Sequence, residues 1–450
     1  MQRAAAAGLV LAYFLWFSGR WVTSGFTPDD LMNCHRALEQ PLAKLLLDHF
    51  TIYSPTPEYR PLGSLFYRAL YAGFGFHPLP FQLGIYSLLI LNLYLTYLAV
   101  RRLTGNEAAA WTATVLHAWH GNWTALHVGA GFCYDVLCYT LFAGAFAAFG
   151  AGRWWLYVSL FLLSLNAKEV AVSLPLVCLA WRGGQDRRAA TAAVFTGVLT
   201  AMFVGGRLMS TGGLGSMDAY VPRIDWTTFV SHTKAFLSMA VYGEGRLAWG
   251  VAILSASAVW SLIHHRRAAL IAVLIMVAGV LPVAFIPQRG LEAVYVPSLG
   301  AMILLALPLA ALCRQPLPAV LAAVLLAGTF HHLRRDRNTE APVAEARHIA
   351  AVAAQMRQSA PCLAPRSRVL FLRDPFPRFD WNSLFLVRLL YGDQSIEVYR
   401  PGRIDGPPET YDVVFDWDAG AEGGPGQGVL RRIIHEATSV STTPNTTPSK

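Results

Sequence analysis

Two adjacent carboxylates, Asp29 and Asp30 in the run GFTPDDLMN, follow directly on the first apolar block of the chain. A carboxylate at such a border can take a proton from a hydroxyl as a general base. The same residues also read as a helix start. Thr27 suits the N-cap, Pro28 the first helical position and Asp30 the third, and the helix dipole favours both charges. Adjacent helical residues point about 100° apart, so both cannot reach one proton, and one should act while the other orients or caps. Arg60, followed by the rigid Pro61 in EYRPLGSLFYR, is a fixed cation. It suits a phosphate through bidentate bonds, or lipid headgroups as a snorkelling side chain.

Lys168 and Glu169 are consecutive charges between two short apolar blocks in LLSLNAKEVAVSLPL. Charges so placed are candidates for function, the alternative being a Lys-Glu pair that closes a helical hairpin. In LHAWHGNWTALHVGAGFCYDVL, His117, His120 and His127 fall roughly on one helical face, superficially a metal pattern. No carboxylate stands at ligand spacing within that helix, and Gly121, Gly129 and Gly131 indicate an irregular bend. The preferred reading is polar lining of a cavity, with Asp135 at its mouth and no metal site. Arg289, Glu292 and Tyr295 in PQRGLEAVYVPSLG share a face, either as a second phosphate or sugar contact or as a salt-bridged helix start.

These residues need a scaffold, and the composition says which kind. The 450 residues are 54% hydrophobic and only 14% charged, mean hydropathy is +0.40, and the apolar residues come in blocks of membrane-spanning length. The formal charge of +9 sits in short clusters between those blocks, as at Arg101-Arg102, 182–188 and 264–267. Such clusters read as cytoplasmic loop anchors, and no nucleic-acid partner is indicated. The six Cys are scattered without a CxxC, so neither a disulfide framework nor a zinc site is signalled.

The expected fold class is a polytopic α-helical membrane protein of about eleven spans with a small C-terminal α/β domain. The candidate spans are 4–22, 81–100, 108–124, 132–150, 154–166, 169–181, 189–207, 246–263, 268–286, 298–313 and 317–331. The first is read as uncleaved, because its end is bulky and aromatic. The segments 154–166 and 169–181 are shorter than a bilayer requires, and so are half-helices around a cavity or wrongly bounded. With the N-terminus inside, loops 23–80 and 208–245 fall outside the cytoplasm. The division expected is a membrane domain over 1–335 with its catalytic outer loop at 23–80, an outer α/β domain over 336–417, and a disordered tail over 418–450.

In order, these segments resemble the multi-spanning glycosyltransferases of the C superfold, and among them bacterial relatives of the transmembrane O-mannosyltransferases that carry tetratricopeptide repeats. The resemblance rests on Asp29-Asp30, YRPL at 59–62, His120 with Asp135-Val136-Leu137, AKE at 167–169 and YVPSLG at 295–300, together spanning about 300 residues. Ala125 stands where the family tends to have Glu, Cys133 stands where it tends to have Arg, and the repeats are absent. The resemblance implies inverting transfer of a sugar from a polyprenyl-phosphate donor to a protein or glycan acceptor, at the outer face of the cytoplasmic membrane. Asp29 or Asp30 would be the base. Arg60, Lys168 and Arg289 would bind the donor phosphate, and His120, Asp135, Glu169 and Tyr295 would line the cavity among membrane lipids. No cofactor is called for, although a divalent cation is compatible. Two other classes remain open: a polymerase or ligase of surface polysaccharide, and a transporter or flippase. Charges gathered at the outer ends of spans count against transport.

Overall fold

The computed structural model describes residues 2–48, 50–51, 60–209, 223–240, 247–285, 291–376, 381–419 and 428–433. It divides into two compact units, Met1–Arg347 and His348–Lys450. The first is helical among its described residues. Helix α1 (Gln2–Ser18) leads to α2 (Pro28–Glu39), whose start is a complete capping box: Thr27 caps, Pro28 opens the helix, and the side chains and backbones of Thr27 and Asp30 bond reciprocally. A short α3 (Leu42–Asp48) precedes α4 (Pro61–Phe74), which opens on Pro61 with Arg60 as its N-cap residue.

Helix α5 (Pro78–Thr104) runs for 27 residues and stops at Gly105 in the left-handed conformation, with Arg101 and Arg102 in its last turn. Then come α6 (Glu107–Ala118), α7 (Cys133–Gly150), α8 (Trp154–Leu165) and α9 (Leu174–Cys178). Helices α10 (Arg187–Met209), α11 (Trp226–Ala240), α12 (Leu247–His264), α13 (Arg266–Ala284) and α14 (Ser298–Cys313) follow. The chain then enters α15 (Pro316–Ser359).

Among the described residues four helices are long and apolar enough to cross a membrane, Pro78–Thr104, Cys133–Gly150, Arg187–Gly206 and Arg266–Ala284, accompanied by shorter apolar helices. The protein is membrane-embedded, as its exposed side chains also indicate. Trp155, Leu312 and Leu325 are 87%, 82% and 72% exposed, a surface suited to hydrocarbon. Helix α7 is the most enclosed of the four, and its run of alanines with Gly144 lets neighbours approach closely. Closer still is α13 against α14, where a Cβ on Gly300 would fall 2.1 Å from the Ala272 carbonyl oxygen.

The α-helical ladder is interrupted twice where the sequence concentrates its polar residues. Between α6 and α7 the chain makes a 3-10 turn over Gly121–His127 and a turn through Gly129 and Gly131. Between α8 and α9 it is extended at Lys168 and then 3-10 over Glu169–Ser173, and a π-helical turn follows over Leu179–Gly183. The two short segments 154–166 and 169–181 are therefore α8 and a composite of 3-10, α and π turns.

The second unit begins within α15. Strands β1 (Arg368–Phe371), β2 (Glu397–Tyr399), β3 (Val413–Asp418) and β4 (Val429–Ile433) form one sheet in the order β2-β1-β3-β4. β1 is parallel to both β2 and β3, and β4 runs antiparallel to β3. Helix α16 (Asn382–Tyr391) makes the crossover from β1 to β2 and buries Leu386, Val387, Leu389 and Leu390. Val369, Leu370 and Phe371 of β1 are fully buried. β4 falls inside the stretch read from its Gly-, Ser- and Thr-rich composition as tail. Its residues pair one for one from Val414↔Ile433 to Asp418↔Val429, so a strand partner overrides local composition there.

Candidate active site

The start of α2 fixes the two carboxylates in different surroundings. Asp30 is 1% exposed. Its Oδ2 accepts from the Thr27 backbone N–H and from Thr27 Oγ1, both at 2.8 Å, and the Tyr67 hydroxyl stands 3.3 Å from Oδ1. Burial pushes its carboxyl up to about 6, against the bonds from Thr27, which favour the charged form. The adjacent Asp29 is exposed. One carboxylate is thus built into the helix start and the other is exposed.

The turn after the histidine segment seats directly on this helix start, because two of its residues have no side chain. A Cβ on Gly129 would come within 2.7 Å of Asp30 Oδ2, and one on Gly131 within 2.8 Å of Asp29 Cβ. Three segments that precede the turn in the chain then bind its carbonyls. Ser24 Oγ donates to Val128, Tyr67 to Ala130 at 2.6 Å, and Asn33 Nδ2 to Gly131 at 3.0 Å. A single phenolic hydrogen cannot serve both Ala130 and Asp30, and the shorter contact is the one to Ala130.

Immediately beyond the turn, α7 carries Tyr134 and Asp135 in its first turn. Lys168 pairs with Asp135, and both side chains are buried, at 9% and 8% exposure. Glu169 instead pairs with Arg60. Nη2 of Arg60 lies 3.0 Å from Oε2, and Nε and Nη2 each lie 3.3 Å from Oε1. Lys168 and Glu169 thus do not pair with each other. Lys168 is extended at φ −161° and ψ 151°, so successive side chains point to opposite sides. Arg60 also lies 5.7 Å from the centre of the Tyr134 ring, and Leu62 N–H donates to Asn166 O at 3.3 Å, tying the start of α4 to the broken segment.

The remaining candidates are distributed differently. His117 Nε2 lies 2.9 Å from the Tyr295 carbonyl, and its ring stacks on Tyr139. His127 Nδ1 meets Ser18 Oγ at 2.9 Å. His117, His127 and Tyr295 line a small internal cavity with Phe14, Asn92 and Thr96. His120 is not part of that lining. It stacks on Trp123, which in turn meets Tyr295 edge-on. Asp135, paired with Lys168, and Glu169, paired with Arg60, also lie outside the cavity lining, while Glu292 is within electrostatic reach of Asp135. Among the described residues no three His, Cys, Asp or Glu are grouped to hold a metal. Arg289 and Tyr59 lie outside the described residues.

The structure thus brings Asp29, Asp30, Arg60, Asp135, Lys168 and Glu169 onto four meeting elements: the α2 start, the α4 start, the turn into α7, and the 166–169 break. Sequence reasoning missed Tyr67, Tyr134 and Asn33, which hold these elements together. Their one signal is position, since Tyr67 lies two turns after Arg60 on α4 and Tyr134 directly precedes Asp135.

No family model matches the chain, and no curated protein matches it significantly. Solved structures that share its fold include ArnT from Cupriavidus metallidurans in the apo state, with a TM-score of 0.56 and 12% identity over 93% of each chain. They also include ArnT from that organism bound to undecaprenyl phosphate, with a TM-score of 0.52 and 14% identity over 88% of this chain and 86% of that one. The likeness is one of fold, and it extends over most of the chain.

Proposed function

We propose that this chain transfers a sugar from a polyprenyl-phosphate donor to an acceptor hydroxyl at the outer face of the cytoplasmic membrane, with inversion at the anomeric carbon. The observation that carries this reading is the pairing of an outward-facing Asp29 with a buried, helix-locked Asp30, joined through Tyr67 and Tyr134 to Arg60. The fold supports it, since one structure of that fold holds a polyprenyl phosphate.

In this mechanism Asp29 accepts the proton of the acceptor hydroxyl while that oxygen attacks the anomeric carbon from the face opposite the phosphate. The carbon–oxygen bond to phosphate breaks, and its electron pair leaves with the polyprenyl phosphate. The phosphodiester has one negative charge and the departing phosphate gains a second, so cations are needed where that charge develops. Arg60 fills this role with its planar fork, Lys168 adds positive charge nearby, and Arg289 is assigned the same role by resemblance. Asp30 orients and caps.

The test has two steps. Mass spectrometry of surface glycans and glycoproteins, with and without the gene, identifies the acceptor. Turnover of a polyprenyl-phosphate sugar onto that acceptor is then measured for Arg60→Ala. A loss of donor use worth about 2–3 kcal/mol is expected, with Arg60→Lys recovering only part. An unchanged glycan profile, or full turnover in Arg60→Ala at subsaturating donor, rejects the reading.

A further inference from the structure

We infer that Glu169 competes with the donor phosphate for Arg60, and that this competition sets how tightly the lipid phosphate is held and how readily it leaves. The inference rests on the assignment of Arg60 to the phosphate made above and adds a role for its carboxylate partner.

Three observations carry it. First, Glu169 engages the Nε and Nη2 edge of the guanidinium with both its oxygens, the two-point geometry a phosphate would use, so the ligands are alternatives on that edge. Second, the two ion pairs of the site differ in exposure. Arg60 and Glu169 are 31% and 34% exposed, whereas Lys168 and Asp135 are 9% and 8%. Separating the buried pair would strand two enclosed charges, while Glu169 has open space beside it when it lets go. The more open pair is the exchangeable one.

Third, Arg60 does not depend on Glu169 alone for its position. The Tyr134 ring supports its guanidinium, and the Leu62 to Asn166 hydrogen bond fixes the backbone beside it. Glu169 is likewise held near, because Lys168, the residue before it, is anchored to Asp135. A carboxylate fixed at the cation's edge weakens binding of both donor and product, and it retakes Arg60 once the phosphate leaves. Glu169 is therefore a positioning and release residue that touches the cation and not the reacting atoms.

The experiment titrates undecaprenyl phosphate into the full-length protein in nanodiscs, with binding read by native mass spectrometry, and sets beside it steady-state turnover with the polyprenyl-phosphate sugar. Glu169→Gln should bind undecaprenyl phosphate about 3- to 5-fold more tightly than the parent, the size of one partly exposed ion pair. It should also lower the donor KM and lower kcat, because release slows. Glu169→Asp keeps the charge but withdraws it by one methylene, so it should fall between the two, and it carries the test if the Gln variant does not fold. Arg60→Ala should bind more weakly. If Arg60→Ala binds undecaprenyl phosphate as well as the parent, the assignment of Arg60 itself fails. If Arg60→Ala is weakened but both Glu169 variants bind no more tightly than the parent, the competition is overturned and the assignment stands.

Discussion

At the scale of single residues, two neighbouring aspartates acquire different chemistry from where their side chains sit. Asp30 is buried, locked to Thr27, and pushed up to about 6, while Asp29 is exposed. Asp29→Asn should keep the fold, since α2 is capped by Thr27 and loses only a dipole contribution of roughly 0.3–1 kcal/mol. The rate should fall about 10²–10⁴-fold, because an amide takes no proton. Turnover of both Asn variants decides the roles: a dead Asp30→Asn beside an active Asp29→Asn would exchange them.

Asp30 also makes a stability prediction with a definite sign. The folded protein holds this proton up to about pH 6, whereas an ordinary Asp releases it near 3.8. The contribution is therefore greatest in acid and is lost as pH rises through that window, by about 3 kcal/mol in all. The apparent melting temperature of the detergent-extracted parent should drop relative to Asp30→Asn between pH 4 and pH 6, then run parallel above it. A constant difference across the whole range would contradict the burial argument.

At the scale of elements, the site is made by helices that stop. The Thr27-Pro28-Asp30 start, the Arg60-Pro61 start and the charged gap between two short apolar blocks were legible because each rests on local rules of capping and length. What joins them was not. The ion pairs link residues 33 and 109 positions apart, and no local rule chooses Asp135 over Glu169 as the partner of Lys168. Nor does sequence show that the glycines at 63, 129 and 131 are empty because something leans on them.

Gly63 gives the sharpest test of that leaning. A Cβ there would fall 2.1 Å from Tyr134 Cε1, and Tyr134 supports Arg60. Gly63→Ala should cost about 1–3 kcal/mol in stability, as overpacking does, and should raise the donor KM through the displaced guanidinium. Trimming the ring in Gly63→Ala/Tyr134→Leu should restore stability but not the KM. An unaltered KM in the single variant would detach Tyr134 from donor binding.

At the scale of the whole molecule, the sequence announced a membrane protein by the length of its apolar blocks and an α/β unit by alternating strand and helix patterns. The number of crossings was less accessible. Segments such as 169–181 change helix type within themselves, which periodicity does not register. The proposed orientation can be checked in intact cells with single-Cys variants at Asp29 and at Glu409, which are exposed in their respective units. Both should react with an impermeant maleimide from outside. Reaction of Asp29→Cys only after lysis would remove the outer-face mechanism.

The turn at 128–131 has a consequence for biogenesis. Its carbonyls are bonded by Ser24, Asn33 and Tyr67, residues 104, 98 and 63 positions earlier in the chain. The ribosome delivers Ser24, α2 and α4 first, so they must wait until α6 and the turn arrive. A nascent chain arrested before residue 128 would present these segments unclamped and open to proteolysis, and a chain released just after α7 would present them closed.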